Sequence, residues 1–483
     1  MKLVMHVLSL IVGIVVVFML MTGGIALICG EPGVALVFLK TFLYTLPPIL
    51  VVYFVTRSSR KKSVLGTKDG FMLVSLAWLF ASAVGALPYV MSGAIPSYTE
   101  AFFETMSGFT TTGASILTAI EPLPRGILFW RSLTHWLGGM GIVVLTVALL
   151  PILGVGGLQL LKAEAPGPSV DKITPKITET AKILWAIYAG MTVLETALLM
   201  AGGMDWFDAL THTFGTLATG GFSTMNSSVG AYESPFVHNV ITTFMVMAGL
   251  NFALYYRLLI GDIKNFWKDT EMKVYLSIFF LISLLMALNL QISGTYEGFN
   301  TSFRFSAFQA ASIITTTGFA TADFAQWPEF SQNLLFFLMF VGGCAGSTGG
   351  GMKVVRLTML TKVGLNEMKR FIHPKGIFPL RINGEVVKKD IVYSIAGFVM
   401  LYLFILLLVT LAVSFGGHDI ITSFTTALAT LGNIGPGFGK VGPAMNYHFY
   451  SVPIKWILSF AMMLGRLEIY TVLVILTPHF WKK

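Results

Sequence analysis

The sequence is 483 residues long, with 55% hydrophobic residues, only 11% charged residues and a mean hydropathy of +0.77. Soluble domains carry about 25% charged residues, so the composition excludes an ordinary soluble protein and predicts an integral membrane protein with many spans. The net charge of +9 does not indicate nucleic-acid binding, because the basic residues lie near the ends of apolar segments, where the positive-inside rule places them.

Ten apolar segments are long enough, at about 20 residues each, to cross a membrane as helices. The first follows Lys2 and exceeds the length of a signal-peptide core, so we predict that it remains in the protein as a membrane helix. The ten segments fall near residues 4–29, 34–56, 70–92, 127–152, 181–203, 235–260, 273–293, 331–362, 391–415 and 453–478.

Four shorter segments lie between the later spans, and each leads into a Thr/Gly-rich stretch: 97–112, 205–219, 303–317 and 418–431. They are too short to cross a bilayer and fit re-entrant half-helices. We therefore predict an all-α integral membrane protein with two extra N-terminal transmembrane helices and four pseudo-repeats of helix, pore helix, filter strand and helix around one pore. The predicted units are 1–60 for the N-terminal helices and 69–152, 177–262, 270–370 and 388–483 for the repeats, the third with a broken second helix and a gating loop.

Lysine and arginine residues predict the orientation of the spans. With the N-terminus in the cytoplasm, inner loops and helix ends hold 25 of the 32 basic residues, and the C-terminus is also cytoplasmic. The Thr/Gly stretches then face outward, where an excess of acidic residues would concentrate cations. Two interpretations of the inner charge stay open: the positive-inside rule alone, or an added docking surface for an acidic cytosolic partner.

The Thr/Gly stretches recur along the chain at intervals of 107, 98 and 114 residues when they are aligned on one central glycine. We predict four extended strands whose backbone carbonyls form a ring and replace the water around K+, with glycine where a side chain would obstruct the backbone. One copy could equally be ordinary backbone at a helix break, but four copies in one structural slot favour a filter. Each copy lacks a second glycine two positions on, so we expect modest selectivity. The predicted K+ filter residues are Thr111, Thr112, Gly113, Ala218, Thr219, Gly220, Thr316, Thr317, Gly318, Thr430, Leu431, Gly432 and Asn433.

A glycine-rich stretch interrupts the span near 331–362. Six of its ten residues are glycine, and each glycine costs a helix about 1 kcal/mol relative to alanine, so a continuous helix is excluded. Irregular backbone at membrane depth must be enclosed by protein or line a cavity. We predict that the stretch forms a gate below the ring, with a kink or a close-packing site as the alternative. It comprises Gly342, Gly343, Cys344, Ala345, Gly346, Ser347, Thr348, Gly349, Gly350 and Gly351.

Arg466 lies near the middle of the last predicted span, where an unpaired arginine costs a few kcal/mol or more. Two interpretations stay open: a structural ion pair, or a pore-facing position in which Arg466 hydrogen-bonds carbonyls of the glycine-rich stretch and adds a barrier to cations. His135 and Arg131 share one helical face in the outer half of the fourth span. We favour a structural, buried His135 over a proton-linked role.

The sequence contains no catalytic constellation. It lacks the GxxxxGK[ST] nucleotide-binding motif, and Cys29 and Cys344 are not spaced as metal ligands. We therefore predict that the chain is not an enzyme and binds no organic cofactor, with K+ as the transported ion.

Five motifs stand out along the chain: RSLTHWLGGMGIVV, TTTGFATADF, GGCAGSTGGGMKVVR, TLGNIGPG and GRLE. Together with the four-fold pattern of Thr/Gly stretches they resemble the Trk/Ktr/HKT superfamily of potassium transporters, and the two extra N-terminal spans make the bacterial TrkH branch the nearest match. The resemblance covers essentially the whole chain.

This resemblance implies potassium uptake across the bacterial inner membrane by a homodimer with one pore per subunit, surrounded by membrane lipids. It also implies control by a cytosolic ring of nucleotide-binding subunits resembling TrkA. By position, it assigns the gate to 342–351 and places Arg466 against it, while the fourth filter stretch departs most, with Leu431 and Asn433 beside its glycine. Two alternatives stay open: a secondary active symporter coupled to sodium or protons, and the potassium-translocating subunit of an ATP-driven pump.

Overall fold

The computed structural model describes residues 1–57, 66–141 and 177–482. The ends of the first two predicted units, near residues 60 and 152, lie outside this part of the chain. Helices dominate it, and its one sheet is a short hairpin in which Arg381–Ile382 (β1) pairs antiparallel with Glu385–Val386 (β2). The two turn residues, Asn383 and Gly384, both have positive φ, as a two-residue type I′ hairpin turn requires.

Two antiparallel helices open the chain, Lys2–Ile28 (α1) and Pro32–Thr56 (α2). Gly30 has a φ of +78° in the tight turn between them, and Pro32 begins α2 at the position where a helix needs no N–H donor. In the most apolar 18-residue stretch of α1, 61% is buried inside the protein, compared with 22% in the corresponding stretch of α2. The first helix therefore packs into the protein, while the second presents most of its apolar surface outward, as a lipid-facing helix does.

After α2, one order of elements recurs four times: a long helix, a short helix, an irregular segment and a second helix, which is interrupted in the last three units. The first two units contain Thr67–Gly85 (α3), Leu87–Ser92 (α4), Tyr98–Phe109 (α5), Arg125–Trp136 (α6), Ile177–Ala201 (α7), Trp206–Leu217 (α8), Pro235–Ala248 (α9), Phe252–Leu259 (α10) and Ile263–Lys268 (α11). The last two contain Thr270–Ile292 (α12), Phe299–Ile314 (α13), Glu329–Leu338 (α14), Val354–Ile372 (α15), Lys389–Ser414 (α16), Ile420–Leu431 (α17), Val452–Arg466 (α18), Tyr470–Leu476 (α19) and Pro478–Trp481 (α20).

Within the described residues, six helical segments are long and apolar enough to cross a membrane: α1, α2, α3 continued by α4, α7, α12 and α16. Two bent pairs, α9 with α10 and α18 with α19, pass the same test when each pair is counted as one span. These helices confirm the prediction of a multi-pass, mainly helical membrane protein.

The predicted spans near 235–260 and 453–478 are apolar enough to cross a membrane, but each is broken into two helices. The chain bends by 96° between α9 and α10 and by 119° between α18 and α19. At the first bend, the Asn251 side chain accepts a hydrogen bond from Ala253 N (2.9 Å) and caps the new helix. At the second, Glu468 and Ile469 take left-handed backbone conformations with φ of +58° and +43°. In the third unit, residues 339–353 interrupt the second helix after α14. In the first unit, α6 continues into a π-helical turn at Leu137–Gly141, the last residues described before residue 177.

The four short helices α5, α8, α13 and α17 are enclosed by the long ones. Their C-terminal halves are buried almost without exception, as residues 101–109 of α5 and 306–314 of α13 show. Several of their hydroxyl groups bond to the preceding turn of the same helix, for example Thr105 Oγ1 to the Ala101 carbonyl (2.6 Å). Each short helix therefore ends inside the protein, so the irregular segment that follows it is shielded from lipid.

Candidate functional site

The four short helices end in the same way. In each, the residue after the C-cap takes a left-handed conformation, with φ of 53° at Thr111, 54° at Thr219, 60° at Thr316 and 54° at Asn433. The N–H of the following residue then bonds to the carbonyl five residues earlier, as in the Schellman motif. These bonds join Thr112 to Ser107 (2.9 Å), Gly220 to Gly215 (2.8 Å), Thr317 to Ser312 (2.9 Å) and Ile434 to Ala429 (2.8 Å).

Three of these left-handed residues are threonine, which is an unusual choice. A β-branched side chain in this conformation is an outlier, with a cost of about 1–3 kcal/mol that the surrounding structure must offset. Asparagine, the fourth, is one of the residues that tolerates it. The repetition of one strained geometry at four equivalent positions indicates a functional constraint on the backbone.

Two residues further on, each segment has a glycine with positive φ: Gly113 (79°), Gly221 (80°), Gly318 (83°) and Gly435 (92°). A methyl group on any of them would overlap a backbone carbonyl oxygen of another segment. The contacts run from Gly113 to Gly220, from Gly221 to Thr317, from Gly318 to Ile434 and from Gly435 to Thr112. Each of these glycines thus packs against the residue just before the corresponding glycine of the next segment. The fourth segment contacts the first, so the four segments form a closed cycle. We call residues 111–113, 219–221, 316–318 and 433–435 the ring.

This geometry corrects the sequence alignment. Gly113 and Gly318 occupy the expected positions, but their counterparts are Gly221 rather than Gly220 and Gly435 rather than Gly432. Gly432 is the C-cap of α17, with φ of −82°, and Thr430 and Leu431 form the last residues of that helix. Ala218 is likewise the C-cap of α8.

The prediction of extended strands was also wrong, because the first and third residues of each ring segment have positive φ. Neighbouring glycines made the register ambiguous in the sequence. Asn433 was the available signal, since asparagine is enriched in the left-handed conformation.

The ring side chains are less alike than its backbone. Thr110 Oγ1 lies 2.7 Å from Thr112 Oγ1, and Thr315 Oγ1 lies 2.7 Å from Thr317 Oγ1. The other two segments have no threonine pair at these positions. Instead, the Asn433 amide donates to Thr112 Oγ1 (2.9 Å) and to a carbonyl of α18 (2.9 Å). The unequal fourth stretch expected from the sequence is therefore present as a difference in side-chain contacts.

The ring contains no charged side chain, and all four segments follow the C-terminal end of a helix, where the helix dipole is negative. Within the described residues, no group of three or more His, Cys, Asp or Glu side chains is placed to hold a metal ion. A cation at the ring would accordingly be held by backbone carbonyls and hydroxyls.

The glycine-rich stretch 342–351, here called the glycine loop, packs against the bend between α9 and α10. Cys344 N donates to the Gly249 carbonyl (2.8 Å), and Phe252 N donates to the Gly346 carbonyl (3.0 Å). Thr348 Oγ1 adds a bond to the carbonyl at the end of α9 (3.1 Å). Backbone groups released by the interrupted helix of one unit are thus satisfied by the interrupted helix of the next.

The glycine loop also touches the ring. Gly350 N donates to Thr316 Oγ1 (2.7 Å). A methyl group on Gly350 would lie 2.8 Å from Asn433 Cβ and 2.9 Å from the Gly432 carbonyl oxygen, closer than Cβ atoms normally approach. The glycines of the loop therefore allow its backbone to pass directly against two ring segments.

A buried carboxylate that the sequence analysis missed joins the glycine loop to the start of α15. Glu271 Oε1, at the start of α12, accepts hydrogen bonds from Ala345 N (2.8 Å) and from Val355 N (2.9 Å). The second N–H belongs to the first turn of α15, where a negative charge complements the helix dipole. No local sequence signal indicates this contact, because the partners are 74 and 84 residues away.

Arg466, at the end of α18, bridges the glycine loop and the first unit. Its guanidinium donates to the Thr348 carbonyl (2.7 Å) and to the carbonyls of Gly138 (2.8 Å) and Gly139 (3.0 Å). The expected hydrogen bond from Arg466 to the loop is therefore present. The nearby Glu468 forms its ion pair with Arg356 at the start of α15.

A buried ion pair joins the helix before the first ring segment to the backbone just after the second ring segment. Arg131 Nε lies 2.7 Å from Glu104 Oε1, with 2% and 0% of the two side chains exposed, and Arg131 also donates to the Ser223 carbonyl (2.8 Å). His135, one helical turn away, places Nδ1 2.7 Å from the Gly108 carbonyl and stacks on Phe222 at 4.0 Å. His135 is buried and packed, in agreement with the structural interpretation.

Comparisons with known proteins show which family the chain resembles. A family model described as TrkH, cation transport protein, matches residues 37–483. The Trk system potassium uptake protein TrkH of Salmonella typhimurium is 41% identical over 480 residues, and that of Escherichia coli K12 is 40% identical, each alignment covering 98% of both chains. The crystal structure of the potassium transporter TrkH from Vibrio parahaemolyticus superposes with a TM-score of 0.89 at 37% identity, covering 100% of this chain and 99% of the other.

Proposed function

The chain belongs to the TrkH family of cation transport proteins, and from that premise we propose that it takes up K+ across the bacterial inner membrane through a channel-like pore whose selectivity filter is the ring. The relatives from Salmonella typhimurium and Escherichia coli are named as potassium uptake proteins. For this chain, the observation that carries the proposal is the closed cycle of the four ring segments, which share one backbone geometry.

A ring of this kind suits a monovalent cation. Carbonyl oxygens can replace the water that K+ loses on entering a pore, and the negative ends of four helices favour a cation at their common focus. Because no carboxylate takes part, the ion is held weakly enough to leave again. The carbonyls of the corrected segments 111–113, 219–221, 316–318 and 433–435 are the proposed ligands, and the four pseudo-repeats surround one pore.

The glycine loop is the proposed gate. It packs against the ring, and its position depends on a few separate contacts, with the bend between α9 and α10, with Glu271, with Arg466 and with Thr316. Glycine-rich backbone can change conformation at little steric cost. Release of these contacts would move the loop away from the ring and open the path for the ion.

A regulatory partner can act on the proposed gate through α15. This helix begins directly after the loop region and is buried only over its first residues. Its far end carries Lys369 and Arg370 and exposes Phe371 and Ile372. A cytosolic nucleotide-binding ring resembling TrkA, bound at this end of a homodimer whose N- and C-termini are cytoplasmic, would pull on the loop through one continuous helix.

Ion flux into liposomes tests the proposal. The purified chain should carry K+ down an imposed gradient with Na+ and a pH gradient both absent, and K+ should pass more readily than Na+. A pore requires no coupling ion, whereas a sodium- or proton-coupled symporter stops when that ion is withdrawn. Flux that ceases without Na+ or a proton gradient would therefore replace the channel-like pore by the symporter.

A further inference from the structure

The four left-handed ring residues differ in what their side chains bind. Thr316 Oγ1 accepts the bond from Gly350 N (2.7 Å). Thr219 Oγ1 donates to the carbonyl of its own neighbour, Ala218 (2.6 Å). Thr111 Oγ1 is buried and has no hydrogen-bond partner among the described residues. Only one of these three equivalent hydroxyls therefore reaches the glycine loop.

The remaining polar contacts of the glycine loop lead away from the ring. Arg466 holds Thr348 to carbonyls of the first unit. Glu271 holds the N–H groups of Ala345 and Val355 to α12, and the α9–α10 bend bonds the loop at Cys344 and Gly346. The Thr316–Gly350 bond is thus the hydrogen bond, within the described residues, that joins loop and ring directly. A methyl group on Gly351 would lie 3.4 Å from Thr316 Cγ2, so the apolar side of Thr316 is also close to the loop.

We propose that Thr316 couples the filter to the gate, as a positioning residue whose hydroxyl holds the glycine loop in its closed place against the ring. This inference rests on the proposed function of ring and loop. When the loop moves, Gly350 N loses its acceptor and the Thr316 hydroxyl becomes free inside the filter. Since coupling between two sites is reciprocal, the K+ occupancy of the ring then shifts the equilibrium of the gate.

The chain offers a matched pair of variants for the test. Thr316→Val and Thr111→Val both remove a buried hydroxyl from the same position of the ring, at φ of 60° and 53°, and valine keeps the shape of threonine. Both variants are expected to lower the conductance of an open channel. Only Thr316→Val removes a bond to the loop, so only this variant is expected to raise the open probability, by roughly two- to tenfold for one hydrogen bond.

Single-channel recording of the full chain in planar bilayers separates the two quantities. Thr316→Ser, which keeps the hydroxyl, should restore the wild-type open probability. In wild type, the open probability should change with K+ concentration, and this dependence should weaken in Thr316→Val. Equal open probabilities for Thr316→Val and Thr111→Val would overturn the coupling. If the valine variants do not purify as folded protein, Thr316→Ala and Thr111→Ala make the same comparison.

Glu271→Ala distinguishes a failed coupling from a failed gate. This variant loosens the loop without touching the ring. An increase in open probability for Glu271→Ala but not for Thr316→Val rejects the coupling and keeps the gate. No increase in Thr316→Val or Glu271→Ala rejects the coupling, and no increase in Arg466→Ala as well rejects the gate.

Discussion

The ring segments resemble one another, whereas the interruptions of the second helices in the last three units differ. In the ring, three different sequences adopt one backbone geometry, with φ of 53–60° at the first residue and 79–92° at the glycine. The interruptions share only their place in the order of elements: bends of 96° and 119°, and one long irregular stretch that contains the glycine loop. An ion site needs equal carbonyl spacing on all sides, whereas a gate needs one element that can move. The contrast therefore separates a part built to stay fixed from a part held by a few breakable contacts.

The largest expected effect comes from disturbing the fixed part. Gly318→Ala and Gly435→Ala each place a methyl group against a backbone carbonyl of another ring segment, at φ of 83° and 92°. The left-handed conformation alone costs alanine about 1–2 kcal/mol, and the clash adds to it. We expect K+ flux into liposomes to fall at least about tenfold, towards background.

Gly190→Ala is the matched control, because no atom outside its own helix lies within 4 Å of the added methyl group. This control should conduct as wild type does. Normal flux in Gly318→Ala or Gly435→Ala would show that these glycines do not line the path of the ion, and that the corrected register is wrong for function.

Removal of Arg466 should act in the opposite direction. Arg466→Ala deletes the three hydrogen bonds that, within the described residues, join the guanidinium to the carbonyls of Thr348, Gly138 and Gly139. Such bonds contribute about 1.5–3 kcal/mol each and are not additive, so we expect K+ flux without a regulatory partner to rise about tenfold to a hundredfold. Arg466→Lys keeps the charge but not the planar, forked donor geometry of arginine. Its K+ flux should lie between those of wild type and Arg466→Ala. A folded Arg466→Ala protein with no flux would instead identify Arg466 as a structural residue.

A smaller increase in K+ flux is expected when the hydrogen bonds of Glu271 to the glycine loop and to α15 are removed. Glu271→Ala removes one acceptor from two buried N–H groups, those of Ala345 and Val355. We expect flux to rise about tenfold, since a buried donor left unpaired costs about 1–3 kcal/mol. Glu271→Gln retains a carbonyl acceptor, so its K+ flux should rise less than that of Glu271→Ala. If both variants behave as wild type while Arg466→Ala leaks, the contact of Arg466 with Thr348 holds the loop in place and the contacts of Glu271 do not.

Local chemistry explains which features were predictable from the sequence. Apolar length predicted the long helices, the recurrence of Thr/Gly stretches predicted four similar segments, and six glycines within 342–351 predicted an irregular loop. Three features escaped prediction because they depend on partners far along the chain. The register of the second and fourth ring segments is defined by contacts between units, Glu271 acts over 74 and 84 residues, and the bend after α18 occurs at Glu468 and Ile469, which carry no helix-breaking signal.

The smallest expected effect lies inside the ring, where equal backbones carry unequal side chains. Thr112 Oγ1 has two partners, Thr110 Oγ1 and the Asn433 amide, while Thr317 Oγ1 has Thr315 Oγ1 as its partner among the described residues. A hydrogen bond contributes about 0.5–1.5 kcal/mol. Only a part of this free energy contributes to the difference in stabilisation between K+ and Na+ in the ring.

We therefore expect Thr112→Val to lower the K+/Na+ permeability ratio, measured from reversal potentials, by about threefold, and Thr317→Val to lower it less. The extra loss in Thr112→Val would come from the freed Asn433 amide, which also bonds to α18 and so connects the ring to the helix that carries Arg466. Equal losses in the two variants would mean that selectivity depends on the four-fold backbone alone, and that the unequal fourth segment serves only to attach the ring to its surroundings.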